Sequence, residues 1–176
     1  MAVVPIITIP NKTLTTETEP VTDFGEELKK TISNLRDTVR AAEDPEGAGL
    51  AATQIGISKS ICIVRRFIVD KGHSGNSNIK EYMLINPKIT KKSGEKEVAW
   101  EGCLSVPDTY VEVERAKKIK VEALDPDGKN ININTSGFFA RVIQHEVDHL
   151  NGILMTDHAL GEKITEKEFD SMQAAL

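Results

Sequence analysis

Along residues 22–43, Phe24, Leu28, Ile32, Leu35 and Val39 recur at spacings of three and four, with charged residues between them. This is the period of a helix with one apolar face. Thr22 or Asp23 is the expected cap. The pattern stops at "DPEGAGLAATQIG", where Pro45, Gly47 and Gly49 enforce loop or extended backbone. β-Rich apolar runs then predict strands over 60–69 (SICIVRRFIV), 81–89 (EYMLINPKI) and 112–124 (EVERAKKIKVEAL). The polar stretch 71–78 (KGHSGNSN) is the expected hairpin tip between the first two. "DPDG" at 125–128 is a turn signal, and 129–134 (KNININ) alternates polar with apolar as a half-buried strand does. From Ser136-Gly137 onward the apolar period lengthens from two to about 3.6, which predicts a helix. On it Ile143, Val147 and Leu150 form a stripe for the core, while Arg141, His145 and His149 form a second stripe for a cleft.

Composition narrows the picture without redirecting it. A chain of 176 residues, 39% hydrophobic and 28% charged, suits one soluble globular domain with a proper core. No internal repeat, low-complexity segment or linker divides it. The formal net charge of −5 leaves no broad basic surface, so direct nucleic-acid binding is not expected. Two cysteines, Cys62 and Cys103, make no disulfide framework, which points to a reducing, cytoplasmic setting. The opening "MAVVPIITIP" lacks a basic stretch and is broken by Pro5 and Pro10, so it reads neither as a signal peptide nor as a membrane span.

The chemistry concentrates in "HEVDH", 145–149. On a helix, positions i and i+4 share a face, so His145 and His149 can offer imidazole nitrogens to one metal ion. Glu146 sits where it can reach a water without ligating. A catalytic site of this kind wants a third protein ligand and an open position. The metzincin extension HExxHxxGxxH fails, because this chain reads "HEVDHLNGILM" with Gly152 present but Met155 in the ligand position. His158 and Glu168 lie downstream and would suit a zincin-like endopeptidase. Upstream, Cys103 in "WEGCLSVP" offers a thiolate, a strong ligand for a divalent ion. Cys62, inside an apolar run, is expected to be an ordinary buried residue. A metal-stabilised binding module without turnover would instead close the site with four protein ligands.

Taken in order, "GAGLAATQIG" (47–56), "EGCLS" (101–105) and "HEVDH" resemble the three signature motifs of the peptide deformylases. The similarity runs from "IPNKTL" to "LNGILM". It implies an α+β fold in one domain over 1–176, with small mixed or antiparallel sheets around a central HExxH helix and an N-terminal amphipathic helix. It further implies removal of the N-formyl group from the initiator formyl-methionine of nascent peptides, with release of formate. Cys103, His145 and His149 would hold one divalent ion, natively Fe(II), with Zn(II), Ni(II) or Co(II) in purified protein. Glu146 would be general base and acid, and Gln54 with the backbone N–H of Leu104 would stabilise the developing oxyanion. Ala48 and Gly49 would pair with the peptide backbone, a form of β-augmentation. Glu101, Gly102, Tyr110, Phe138, Arg141 and Val142 complete the implied substrate contacts. The same resemblance makes the partners nascent peptides with transient ribosome proximity, and the enzyme a cytoplasmic monomer.

Departures from the family pattern lie in the pocket. Arg141 stands at a helix position that is aliphatic in many deformylases, and its stem is expected to wall the pocket while its head reaches outward to water or an acidic neighbour. Tyr110 stands where many bacterial members carry Arg, which alters contacts beyond methionine. The segment 65–80 reads as longer than in compact bacterial forms.

Overall fold

The computed structural model describes residues 2–43, 46–68 and 78–175. Its regular elements are α1 (Glu26–Ala41), β1 (Gly49–Ala51), β2 (Ile61–Ile68), β3 (Asn78–Lys92), β4 (Lys96–Cys103), β5 (Val106–Ala116), β6 (Lys118–Leu124), β7 (Asn130–Ser136), α2 (Gly137–Leu150) and α3 (Glu166–Gln173). The expected α+β class is what the chain adopts. Apart from Asn78, the hairpin tip expected at 71–78 lies outside the described residues, as does part of the 65–80 segment.

The strands form an antiparallel sheet in the order β1-β2-β3-β6-β7 and a separate β4-β5 hairpin. In β2 the run Ile61-Cys62-Ile63-Val64 is buried throughout, because both faces of the sheet are covered. Ile61 and Ile63 pack with Leu28, Ile32, Leu35 and Val39 of α1, and Cys62 and Val64 pack with Ala140, Ile143 and Val147 of α2. The sheet is therefore the middle layer between two helices. A smaller apolar cluster, with Leu14, Val111, Val113 and Met155, underlies the β4-β5 hairpin. Cys62 is the ordinary buried residue the sequence implied.

Three expectations need correction. Helix α1 begins at Glu26 rather than near 22, and neither Thr22 nor Asp23 caps it. Asp23 instead accepts the Gly25 amide at 2.9 Å in a local turn, and Gly25 is the N-cap. The predicted strand 112–124 is two strands in different sheets, broken at Lys117, whose amide donates to Glu95 O at 3.0 Å. The same parity faces inward on both sides of the break, with Val111, Val113, Ile119, Val121 and Ala123 all buried, and only Arg115, Ala116 and Lys117 interrupt the alternation. Strand β4 was not foreseen in the stretch between the strands expected over 81–89 and 112–124, and Cys103 is its last residue.

Helix α2 ends in a Schellman motif. Gly152 N–H donates to His149 O at 3.2 Å and Ile153 N–H to Asp148 O at 2.9 Å, with Gly152 at φ +70°. A Cβ on Gly152 would fall 2.8 Å from Thr15 C and 2.9 Å from Thr16 N. The glycine is thus required by the helix end and by the N-terminal segment packed on it. Gly152→Ala is expected to destabilise the fold by about 2–4 kcal/mol, from left-handed strain plus backbone overlap. Urea unfolding with the midpoint compared to the parent checks this.

Candidate active site

The site forms where β1, the tip of β4 and helix α2 converge. Ala51 leads into a 3-10 turn, Ala52–Ile55, that carries Gln54 inward. The Gln54 carbonyl oxygen accepts the Ala51 amide at 2.8 Å, which leaves its NH2 to face Ser105 Oγ at 3.2 Å and Cys103 Sγ at 3.7 Å. Cys103 is aimed by a slip in the β4-β5 register between Gly102 and Cys103, the kind of irregularity that redirects a side chain. Its Sγ lies 3.2 Å from His149 Nε2. His145 is turned by its other nitrogen, because Nδ1 meets Glu101 Oε2 at 3.0 Å. One ligand-type atom from each of Cys103, His145 and His149 then lies within 4.8 Å of the others.

This donor set fits a divalent transition metal. A thiolate and two imidazoles suit Fe(II) or Zn(II), and a carboxylate behind one histidine is the usual outer partner that fixes a ligand's tautomer. Among the described residues the cluster holds three such ligands, not the four that would close it. Beside it Glu146 is buried, and its Oε2 has no hydrogen-bond partner in the protein. A polar atom left so is unusual and marks a place for a ligand or water. Burial pushes the Glu146 carboxyl up to about 7, with the positive His145 pulling the other way. Gly49 makes room for it, since a Cβ there would fall 2.5 Å from Glu146 Oε1.

Behind the cluster lies a buried ionic network. Arg115 binds Glu101 through Nε at 2.9 Å and Nη2 at 3.0 Å, and it also pairs with Asp148. Arg141 Nη1 adds a third donor to Glu101 at 2.8 Å. Burial opposes ionisation of Glu101, but His145 and Arg115 outweigh it and hold its carboxyl far below the usual range. Gln144 ties α2 to β5 by a two-way bond with Ala116, accepting its N–H at 3.2 Å and donating to its carbonyl at 3.0 Å.

A cavity of about 480 Å³ opens over the site. Of the residues singled out by sequence, Ala48, Gly49, Gln54, Glu101, Gly102, Cys103, Leu104, Tyr110, Phe138, Arg141, Val142, His145 and Glu146 line it, and His149 sits behind Cys103. Four details differ from expectation. Glu101 has its carboxylate fully engaged by Arg115, Arg141 and His145, so it holds the site rather than the substrate. Phe138 is 60% exposed at the rim instead of deep in a pocket. The polar stripe of α2 is itself buried, with Arg141 7% exposed. The Arg141 head does find an acidic neighbour, but an inward one: it donates to Glu101, to Val113 O at 2.9 Å and to Glu97 O at 2.7 Å. The alternative ligands are elsewhere, with His158 on Asp148 at 3.1 Å and Glu168 capping α3 through Thr165. Sequence reasoning missed Arg115, Asp148, Gln144 and Ser105. Arg115 carried a usable signal, a charge at an inward position of an alternating strand.

An α+β fold with a Cys/His/His cluster and a buried carboxylate on the floor of a peptide-sized cleft defines a metallohydrolase site. Residues 3–164 match the family model described as Polypeptide deformylase. The chain is 42% identical to a peptide deformylase of Syntrophomonas wolfei, over 93% of this chain and 98% of that one. It is 40% identical to Peptide deformylase 1 of Bacillus subtilis, over 98% and 99%. The crystal structure of the Thermotoga maritima peptide deformylase superposes with a TM-score of 0.78 at 38% identity, covering 92% of this chain and all of that one. A Met-Ala-Ser-bound class I type b deformylase from Acinetobacter baumannii gives 0.77 at 34% identity, over 89% and 98%. The chain belongs to the peptide deformylase family.

Arg141 gives this geometry its test. A substitution confined to the pocket wall would alter substrate tolerance alone, but Arg141→Ile removes a buried charge and uncaps two carbonyls. A loss of about 3 kcal/mol is expected, lowering Tm by roughly 6–12 °C. Calorimetry of the variant beside the parent measures it.

Proposed function

We propose that this chain works as one catalytic unit that hydrolyses the formyl group from the N-terminal formyl-methionine of nascent peptides, releasing formate, with Cys103, His145 and His149 as metal ligands. The observation that carries the reading is the convergence of those three donors beside a buried, partnerless carboxylate oxygen of Glu146. A divalent ion bound there, natively Fe(II) and in purified protein also Zn(II), Ni(II) or Co(II), supplies Lewis acidity and a water that is easier to deprotonate. Glu146 takes the proton of the attacking water and later passes it to the leaving amine, a role that suits a carboxyl raised by burial. The NH2 of Gln54 donates to the oxygen on which negative charge grows, joined by the Leu104 backbone N–H. Ser105 steadies that amide until substrate arrives, and the Ala51 contact keeps its donor end pointed at the reacting group.

The peptide itself lies along β1, with Ala48 and Gly49 offering main-chain groups and Gly49 allowing close approach to Glu146. The Acinetobacter baumannii relative was solved bound to Met-Ala-Ser, which supports a short peptide as the ligand. Methionine's side chain enters beside Val142 and the Arg141 stem, where an unbranched thioether adapts well. Work on nascent chains sets the enzyme in the cytoplasm near the ribosome, as a monomer.

Three substitutions test the assignments separately. Cys103→Ala is expected to lose stoichiometric metal and activity together, while Cys62→Ala keeps both. Elemental analysis decides it, and a fully loaded Cys103→Ala protein overturns the ligand set. Glu146→Ala should retain metal but lose about two to four powers of ten in kcat for formate release from a formyl-Met tripeptide. Near-full turnover by the loaded variant would move the base elsewhere.

A further inference from the structure

We infer that Arg65 is a positioning residue: its buried guanidinium clamps the segment leading into β1 and so holds in place the edge on which the substrate's main chain pairs. The inference rests on the deformylase reading and adds to it a residue outside all three sequence motifs, one that is not among those lining the cavity.

Arg65 follows the apolar run Ile61–Val64 of β2 and is only 7% exposed. A guanidinium so far from water needs partners, and most of those it finds belong to residues 46–48. Nη1 donates to Gly47 O at 2.7 Å, Nη2 pairs with Glu46 at 3.2 Å, and the Arg65 main-chain N–H donates to Ala48 O at 2.8 Å. One residue therefore bonds two consecutive carbonyls, the first through its side chain and the second through its backbone. From the other direction the Gly47 amide is held by Ala42 O, just past the end of α1, at 3.0 Å. The fit against that helix is close, since a Cβ on Gly47 would fall 2.7 Å from Val39 O.

The clamp is itself braced. Glu81 of β3 lies 3.8 Å from Arg65 Nε and accepts two bonds from Arg40 of α1, at 2.8 and 2.7 Å. The Arg40 bonds outweigh the cost of partial burial and hold the Glu81 carboxyl below its usual range, so it stays ionised. Charge pairing thus runs from α1 through β3 and β2 to the entry of β1.

That entry needs holding. Strand β1 has three residues and lies at the edge of its sheet. An incoming chain adds to such an edge with least loss when the main-chain groups already stand in line. Ala48 O is turned toward β2, which sets the main-chain groups of Gly49 on the open edge, in the wall of the cavity. Gly49 also lies directly against the Glu146 carboxylate. The position of this short segment therefore fixes the height of the peptide relative to the base, and a shift of about 1 Å there would be felt in turnover of any substrate that pairs with it.

The experiment compares formyl-Met-Ala-Ser, whose following residues can pair with β1, with formyl-methionine amide, which ends at the methionine. Formate release from both is measured for metal-loaded parent, Arg65→Met, Arg65→Lys and Glu81→Gln, with metal content and Tm recorded beside it. Arg65→Met is expected to raise KM for the tripeptide about tenfold while kcat stays within about threefold, so the tripeptide-to-amide ratio of kcat/KM falls about tenfold. Arg65→Lys keeps a charge and a donor for Gly47 O, and should bring that ratio back to within about threefold of the parent. Glu81→Gln, outside the cleft, should lower it about twofold. A ratio unmoved in Arg65→Met while Tm falls, or an equal loss on both substrates, shows an arginine that only stabilises the fold and overturns the inference. Should Arg65→Met fail to fold, parent-like ratios in both Arg65→Lys and Glu81→Gln overturn it equally. Those outcomes remove the Arg65 assignment alone, whereas no formate from either substrate with the loaded parent removes the deformylase reading and this inference together.

Discussion

A single carboxylate, Glu101, holds this site together. It is buried, and it is shared by Arg115, Arg141 and His145. A carboxylate taken out of water is costly unless fully paired. Here the pairing reaches across structural units, because Glu101 lies on β4, Arg115 on β5, and Arg141 and His145 on α2. Satisfying one buried charge therefore locks the two-stranded hairpin against the helix that carries both histidines. The ligand geometry and the packing of two units are one problem with one solution.

The rest of the site depends on that lock. His145 can present one nitrogen to the cluster only while the other is held by Glu101. Cys103 reaches His149 only because its hairpin is clamped at this height along the helix, and Gln144 fixes the same height through Ala116. Asp148, between the two histidines, draws Arg115 from the opposite side. The motif HEVDH thus sets the two histidines and the buried Glu146 on one side and an anchoring acid on another.

Much of this could be read from the chain. Helices α1 and α2 and strands β2 and β7 announced themselves through period, and more than half of the residues facing the cavity, though not Trp100, Asp108, Glu166 or Phe169, were named in advance. What escaped shares one physical cause: it depends on partners distant in sequence. The sheet switch at Lys117 keeps the same inward parity on both sides, so alternation alone reads the two strands as one. Arg141 looked out of place in an aliphatic pocket because its acid lies 40 residues upstream. Glu101 looked like a substrate contact because it adjoins Gly102 and Cys103, while the guanidinium groups that engage it come from β5 and α2. Strand β4 was hidden by its charged, half-exposed residues, for only Glu101 among them is buried.

The two cysteines end up chemically unequal. Cys62 is sealed between the sheet and α2, and burial pushes its thiol well above the usual range. Cys103 is half-buried at the cavity floor. Thiolate character and access together govern attack by oxidants and alkylating reagents. Of the two thiols, the one open to oxidants is therefore Cys103, the sulfur proposed to hold the metal, and an oxidant that enters the cleft would compete with that ion for the same atom.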